Sequence, residues 1–364
     1  LKKQEPQTLI SDLGEVKLIE RLTKDFSVKY QSTKLSIGDD SAVVDLKSGS
    51  TVISTDLLVD KIHFNLDYMP LMHLGYKAVV VNISDIYAMN AKPKYILVSI
   101  GVSNQFSVEH LEMLYQGIKL ACKNYNIELI GGDTTANNRG LLISITAVGN
   151  AIDGKIVKRS GATIGDLLVV SGDLGAACLG LMVLERENQK VLKNPHYSPI
   201  LEPYQYFIGR QLKPEAGKKI FEFLQKNQIT PTSMIDLSDG LSTELSHLSR
   251  SSNVSFEVFE DKIPISAQLE KIAKKFNMNY LELVLNGGED YELLMTIKQK
   301  DLPKIMVNPN LTVIGSVSKK TSKNQLIKSN GTRFEIVPKG WDGFDYLTKS
   351  HIQTHHNDKP SDKS

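Results

Sequence analysis

Residues 36–45 read SIGDDSAVVD and set two adjacent carboxylates, Asp39 and Asp40, behind a glycine and ahead of small and branched apolar residues. Gly-Asp-Asp between apolar stretches is ordinary turn chemistry. A divalent cation is the other use, because hard ions such as Mg²⁺ are held by carboxylate oxygens that otherwise repel one another. The same pattern, an apolar run ending in an acid beside Gly, Ser or Thr, recurs along the chain. Asp56 lies in VISTDLL, Asp133 in LIGGDTT, Asp236 and Asp239 in MIDLSDGLS, and Glu289 with Asp290 in NGGEDYELL. Asp85 joins them from a segment of helical spacing. The recurrence predicts that separate elements converge and that their acids share a task.

Chemistry narrows the task. Glycoside hydrolysis needs one pair of carboxylates, whereas a ring of oxygen ligands suits several Mg²⁺ ions, which commonly share their coordination with phosphates and water. Phosphoryl transfer is then the natural reaction, since it depends on positioning and charge neutralisation. Glycines in GGDTT and NGGEDY would let the backbone approach phosphate oxygens, or would simply make tight turns. The chain has no Walker-A pattern, no Gly-rich kinase loop with an H-R-D segment, and no G-x-G-x-x-G after its first strand. Any use of ATP requires a different architecture.

The elements that must position these acids alternate between helix and strand. Residues 12–30 carry a helical pattern with Leu18, Ile19 and Leu22 on one stripe. In HLGYKAVVVNISDIYAMNA, Leu74, Ala78, Val81, Asp85 and Ala88 mark one helical face, so Asp85 needs a cleft edge or a cation. Strands are expected at 95–102 and 141–150 and a helix at 107–126. A first α/β or α+β domain therefore spans 12–150, after a flexible start at 1–11. A second spans 151–347 and includes a polar connection at 185–217, helical in parts, that matches no motif. The remainder, 348–364, with His351, His355 and His356, reads as a disordered tail. A short echo, VNISDI against IDLSDG, is too brief to establish duplication.

The bulk numbers exclude several classes. A length of 364 residues accommodates two domains, and 41% hydrophobic with 23% charged residues is a soluble globular composition. A formal charge of +2 gives no strong attraction to nucleic acid or membrane surfaces. No apolar run approaches the ~18 residues of a membrane span, and no signal-peptide arrangement is found, so a cytoplasmic location is expected. Cys122 and Cys178 stand far apart among apolar or small neighbours and read as buried structural thiols.

Taken in order, GDDSAVVD, STDLLVDKIHF, YKAVVVNISDIYAMNAKPKY, GGDTT, KRSGATIGD, IDLSDGLSTEL, GGEDYELL and GWDGF resemble the motif series of the thiamine-monophosphate kinase family, in the aminoimidazole-ribonucleotide-synthetase-like superfamily. The likeness covers roughly residues 14–345. It implies a two-domain α/β (α+β) fold, with an N-terminal domain forming the sheet of a homodimer and a C-terminal α/β domain completing the cleft. It implies in-line transfer of the ATP γ-phosphoryl group to thiamine monophosphate, with no covalent nucleophile. By motif, Asp40, Ser54, Thr55, Asp56, Asp85, Asp133, Asp236 and Asp239 would hold Mg²⁺, with Asp39 a less direct ligand; Asp133 and Asp239 would position the metals for catalysis. Gly132, Arg159 and Ser238 would touch ATP, and His63, Glu289 and Trp341 thiamine monophosphate. Considered alone, Arg159 reads better as a surface ion pair, and His63 and the single tryptophan as packing residues. Asn90 stands where the family commonly has glycine, which implies a reshaped helix end. The competing readings are another ATP-dependent enzyme of the superfamily, of the purine-synthesis ligase type, and a non-catalytic nucleotide- or metal-binding regulator.

Overall fold

A computed structural model describes residues 8–9, 15–37, 43–44, 50–152, 155–320 and 323–340. Asp39, Asp40, Trp341, the tail and most of the start lie outside the described residues. The first half runs α1 (Glu15–Thr23), β1 (Thr33–Leu35), β2 (Val43–Val44), β3 (Thr51–Val59), α2 (Leu71–Ala88), β4 (Ala91–Val102), α3 (Val108–Tyr125), β5 (Glu128–Ala136) and β6 (Leu141–Ala151). The second runs β7 (Leu167–Ser171), α4 (Ala176–Lys193), α5 (Gln205–Leu212), α6 (Lys218–Lys226), β8 (Ser233–Asp236), α7 (Leu241–Ser252), β9 (Ser255–Phe259), α8 (Leu269–Lys275) and α9 (Tyr280–Asn286). It ends with β10 (Leu293–Ile297), α10 (Leu302–Ile305), β11 (Leu311–Ser318), β12 (Asn324–Ile327) and β13 (Arg333–Ile336). No helix among the described residues is long and apolar enough to cross a membrane.

Four strands of the first half form a sheet in the order β3-β6-β4-β5, with β4 and β5 parallel and the other neighbours antiparallel. On β6, Leu141, Ile143, Ile145 and Ala147 are buried and alternate with half-buried residues, as expected when one face meets helices. Helices α2 and α3 supply that cover. A Cβ on Gly117 would stand 1.9 Å from the Met72 carbonyl oxygen, so the glycine is what lets the two helix backbones touch. Helix α3 starts at Ser107, whose hydroxyl accepts from the His110 N–H while His110 Nδ1 accepts from the Ser107 N–H.

The second sheet has seven strands in the order β13-β12-β9-β11-β7-β10-β8. Every residue of β8 and β10 is buried, because helices lie on both faces. Leu241, Leu245 and Leu248 of α7 pack on one side with Ile235 and Leu294, and Ile220 and Leu224 of α6 pack on the other with Met234 and Met295.

Three expectations change. The first helix stops at Thr23 rather than running to 30, since the polar turn at Lys24 and Asp25 follows it; Leu18 and Leu22 are buried as expected. Helix α2 is apolar and buried nearly all round rather than along one stripe, because it lies between the first sheet, α3 and β8. Its end is not reshaped by Asn90. That residue takes the left-handed φ of 56° a glycine would supply, and its amide donates to the Lys155 carbonyl (2.9 Å) and accepts from Gln225 (2.7 Å).

The connection at 185–217 is ordered and largely helical, formed by α4 and α5. Val183, Leu184, Ile208 and Leu212 pack into the core of the first half. Between the helices, the chain is tied to the buried Glu187, which accepts from Tyr197 Oη (2.6 Å) and the Ile200 N–H (3.2 Å). Cys122 is buried, its thiol pushed up to about 12 by burial; Cys178 is only partly covered.

Candidate functional site

Strand alternation sends Ser54 and Asp56 of β3 toward α2 and Thr55 to the opposite face. Ser54 Oγ donates to Asp85 Oδ2 on α2 at 2.5 Å, and the Asp56 N–H donates to Asn82 Oδ1 at 2.9 Å. One residue before Asp85, Ser84 Oγ donates across to Asp236 Oδ2 at 2.6 Å, where β8 ends. The two segments of the short sequence echo therefore meet. Helix α2 joins both halves of the molecule at this point.

Asp56, Asp85 and Asp236 are set close enough to oppose one another's ionisation. Burial and then Asp85 push Asp56 up to about 6. Burial, then Asp85 and more weakly Asp56, push Asp236 up to about 7. Asp85 is also raised, by burial, against the pull of the Ser54 hydroxyl and the Arg159 charge. Such a set of hard oxygen donors, short of positive charge, fits a divalent cation. Among the described residues, no group of three or more side chains already stands in metal-binding geometry.

Above these acids opens a cavity of about 710 Å³, lined by Ser54, Asp85, Asp236, Lys158, Arg159 and Ser160 among others. The exposed Lys158 and Arg159 give it a cationic wall over an acidic floor. An anionic group, met by guanidinium and ammonium donors on one side and by carboxylate-held cations on the other, is what this layout can receive.

Ser238 and Asp239 follow Asp236 in the loop that enters α7. The Asp239 N–H donates to Glu244 Oε1 at 2.9 Å, and Glu244, only 1% exposed, is pushed up to about 8 by burial against the pull of that hydrogen bond. Sequence reasoning missed Glu244; its signal is an acid in the first turn of the helix that starts after SDG.

The loop with Glu289 is fastened to the same segment, the Glu289 N–H donating to the Ser238 carbonyl at 2.7 Å. Glu289 holds a left-handed φ of 59°. Its carboxylate meets Lys77 Nζ at 2.8 Å and accepts from Gln211 Nε2. Lys77, itself 1% exposed, also donates to the Gln211 carbonyl at 3.2 Å. His63 belongs to this group: burial lowers its pKa, with Glu289 pulling up and Lys77 down. Its Nδ1 accepts from the Val59 N–H at 3.1 Å. Lys77 and Gln211 escaped notice in the sequence because each sits in an otherwise ordinary helical pattern.

Two acids do not join the cluster. Asp290, one of the recurring set, faces away and caps α4, accepting from the Gly175 and Ala177 N–H groups (2.8 and 3.4 Å) beside Arg210. Asp133 is exposed on β5, the opposite edge of the sheet from β3. Register puts Asp56, Ile145, Val98 and Gly132 in one row and Leu57, Ser144, Ser99 and Asp133 in the next. Asp133 thus shares the outer face with Thr55 and Leu57, about 14 Å from β3 at three strand spacings. Thr55 Oγ1 itself donates to the Ile145 carbonyl at 3.1 Å.

The two-sheet α/β fold is that of the AIR synthase-related proteins, and residues 38–151 match the family described as AIR synthase related protein, N-terminal domain. The thiamine-monophosphate kinase of Bacillus subtilis is 32% identical over 91% of this chain and 100% of its own length, and that of Aquifex aeolicus 33% identical over 92% and 99%. A solved structure described as AaThiL complexed with AMPPCP and TMP superposes with a TM-score of 0.69 at 31% identity, covering 94% of this chain and 99% of that one. The chain belongs to the thiamine-monophosphate kinase family.

Proposed function

We propose that this protein transfers the ATP γ-phosphoryl group to the phosphate of thiamine monophosphate, giving thiamine diphosphate and ADP. The observation that carries the reading is the junction made by Ser54–Asp85 and Ser84–Asp236, which draws acids from both halves under a cavity walled by Lys158 and Arg159. Asp40, Ser54, Thr55, Asp56, Asp85, Asp133, Asp236 and Asp239 are assigned to Mg²⁺, with Asp39 as an outer ligand. Bound Mg²⁺ would neutralise phosphate charge in the transfer. Arg159, Gly132 and Ser238 are assigned to ATP; Arg159 offers a fork of donors to a phosphate, and the glycine lets backbone approach. His63, Glu289 and Trp341 are assigned to thiamine monophosphate, and Lys77 and Gln211 hold the Glu289 carboxylate in place. The hydroxyls of Ser54 and Ser84 orient Asp85 and Asp236, so those carboxylates need little reorganisation when charge arrives.

The active form in this reading is a homodimer built on the first sheet. The outer face of β3 leaves Ile53 66% and Leu57 50% exposed, an apolar surface suited to a second copy. Asp133 and Thr55 lie on that same face at opposite edges, so in a dimer built on this face Asp133 would meet the β3 edge of a second copy, beside Thr55, rather than the acids of its own chain. Incubation with ATP, Mg²⁺ and thiamine monophosphate tests the reading: thiamine diphosphate and ADP are expected in equal amounts. ADP without thiamine diphosphate would remove the substrate assignment.

A further inference from the structure

Arg159 stands in the loop that leads from β6 to β7 and lines the cavity, and its side chain makes no hydrogen bond or ion pair with another described residue. A long cation left free in this way samples many rotamers, so its aim depends on how firmly its backbone is held. Here the backbone is held from two sides. From β8, the Met234 N–H donates to the Lys158 carbonyl at 3.0 Å. Gly161, at a φ of 127°, approaches the residue before that strand so closely that a Cβ would stand 2.2 Å from the Thr232 carbonyl oxygen. From α7, the hydroxyl of Ser252, the last residue of the helix, makes three bonds to the loop. It accepts from the Gly161 N–H (3.1 Å) and the Ala162 N–H (3.2 Å) and donates to the Arg159 carbonyl (3.2 Å).

A hydroxyl has one proton and two lone pairs, so this loop takes the whole capacity of the Ser252 side chain. Arg159 and Gly161 are exposed, and water could serve their backbone groups equally well. The three bonds therefore do less for the stability of the fold than for the conformation of the loop. The neighbouring Ser251 lines the cavity beside Arg159, while the other end of α7 follows directly on Ser238 and Asp239. A helix of twelve residues, about 18 Å long, thus runs from the Asp239 loop to the Arg159 loop. One element fixes both.

We propose that Ser252 is a positioning residue for ATP, holding the backbone of residues 159–162 so that the Arg159 guanidinium is aimed into the cavity at the nucleotide's phosphates. The proposal rests on the reading that Arg159 meets ATP and adds the group that orients it. Calorimetry with Mg²⁺ and the non-hydrolysable analogue AMPPCP, together with steady-state kinetics, compares Ser252→Ala, Ser252→Thr, Arg159→Met and the double variant. Melting curves should place all four close to the unsubstituted protein. Ser252→Ala is expected to weaken AMPPCP and raise the KM for ATP about tenfold, with the KM for thiamine monophosphate unchanged. Ser252→Thr keeps the hydroxyl and should restore most of that affinity. Arg159→Met should weaken AMPPCP at least as far as Ser252→Ala does. The double variant should then bind no worse than Arg159→Met, because a residue that acts through the guanidinium has nothing to act on once it is gone.

Additive losses in the double variant would overturn the proposal. So would a KM for thiamine monophosphate that rises in step with that for ATP, which would mark a general loosening of the fold. If Arg159→Met binds AMPPCP as tightly as the unsubstituted protein, the assignment of Arg159 to ATP fails and the role of Ser252 goes with it. If Arg159→Met loses affinity while Ser252→Ala keeps it, only the positioning role fails.

Discussion

Replacing Asp236 by asparagine should stabilise the metal-free protein at alkaline pH while abolishing transfer. Asp236 is 4% exposed, and burial with Asp85 and Asp56 pushes its carboxyl from 3.8 up to about 7. An acid raised in this way binds its proton more tightly folded than unfolded. Its contribution to stability is therefore fully present below pH 3.8 and is lost as pH rises through 7. The interval corresponds to about 4 kcal/mol at about 1.36 kcal/mol per pH unit, a quantity that the coupled acids share. Asparagine has no ionisation to suppress. Its carbonyl oxygen can keep the hydrogen bond from Ser84, and its amide can donate toward Asp85 and Asp56. In EDTA at pH 8, urea unfolding should find the variant more stable by about 2–4 kcal/mol, with the difference shrinking toward zero near pH 4. Saturating Mg²⁺ should stabilise the unsubstituted protein and have much less effect on the variant. A variant less stable at pH 8 in EDTA, or a difference independent of pH, would refute the reasoning that these acids repel one another across the junction.

Asp56→Asn and Asp133→Asn should each lower turnover by orders of magnitude while leaving the protein folded, as steady-state assays and melting curves would record. If Asp133 acts from a second copy, the two inactive variants, unfolded together and refolded, should regain part of the activity; mixtures as inactive as either variant would assign Asp133 to its own chain. Glu244→Gln should match the unsubstituted protein near pH 4 and become progressively more stable than it as pH rises from about 4.5 to about 8, where the difference levels off, because over that range the folded chain keeps the carboxyl proton that the unfolded chain has lost; urea unfolding across the range checks it. Glu244→Ala, by contrast, leaves the Asp239 N–H without its acceptor and should cost about 1–3 kcal/mol by urea titration. Asn90→Gly keeps the left-handed turn but loses the bonds to Lys155 and Gln225, and should lower stability by about 1–2 kcal/mol in the same experiment.

The acids of the junction were legible in the sequence because Asp56 and Asp236 each follow an apolar run beside a small residue and Asp85 falls on an apolar helical stripe, local patterns that strand, turn and helix chemistry preserve. Asp56, Asp85 and Asp236 come together as that pattern implied. What the pattern lacked was direction. Thr55 follows Ser54 in sequence yet faces the other side of its strand, Asp290 follows Glu289 yet turns away to cap a helix, and Asp133 lies on the far edge of a sheet whose strand order no local signal encodes. Lys77, Gln211 and Glu244 were invisible for a related reason: a buried charge on an amphipathic helix looks like a solvated one until its partner is placed. The connection at 185–217 looked like a linker because its apolar residues are sparse, and its role depends on a core it does not adjoin in sequence.

That connection bears on the order in which the molecule can be made. Residues 51–151 contain the whole first sheet and both of its helices. The core beneath them nevertheless includes Val183, Leu184, Ile208, Leu212, Ala216 and Phe221. During synthesis the nascent first half must wait with a gap in its interior until Phe221 has left the ribosome, several seconds at about 5–20 residues per second. Over that interval its apolar surface is open to chaperones and to other chains, so a ribosome pause between residues 151 and 221 would harm the yield of this protein more than a pause of equal length later in the chain.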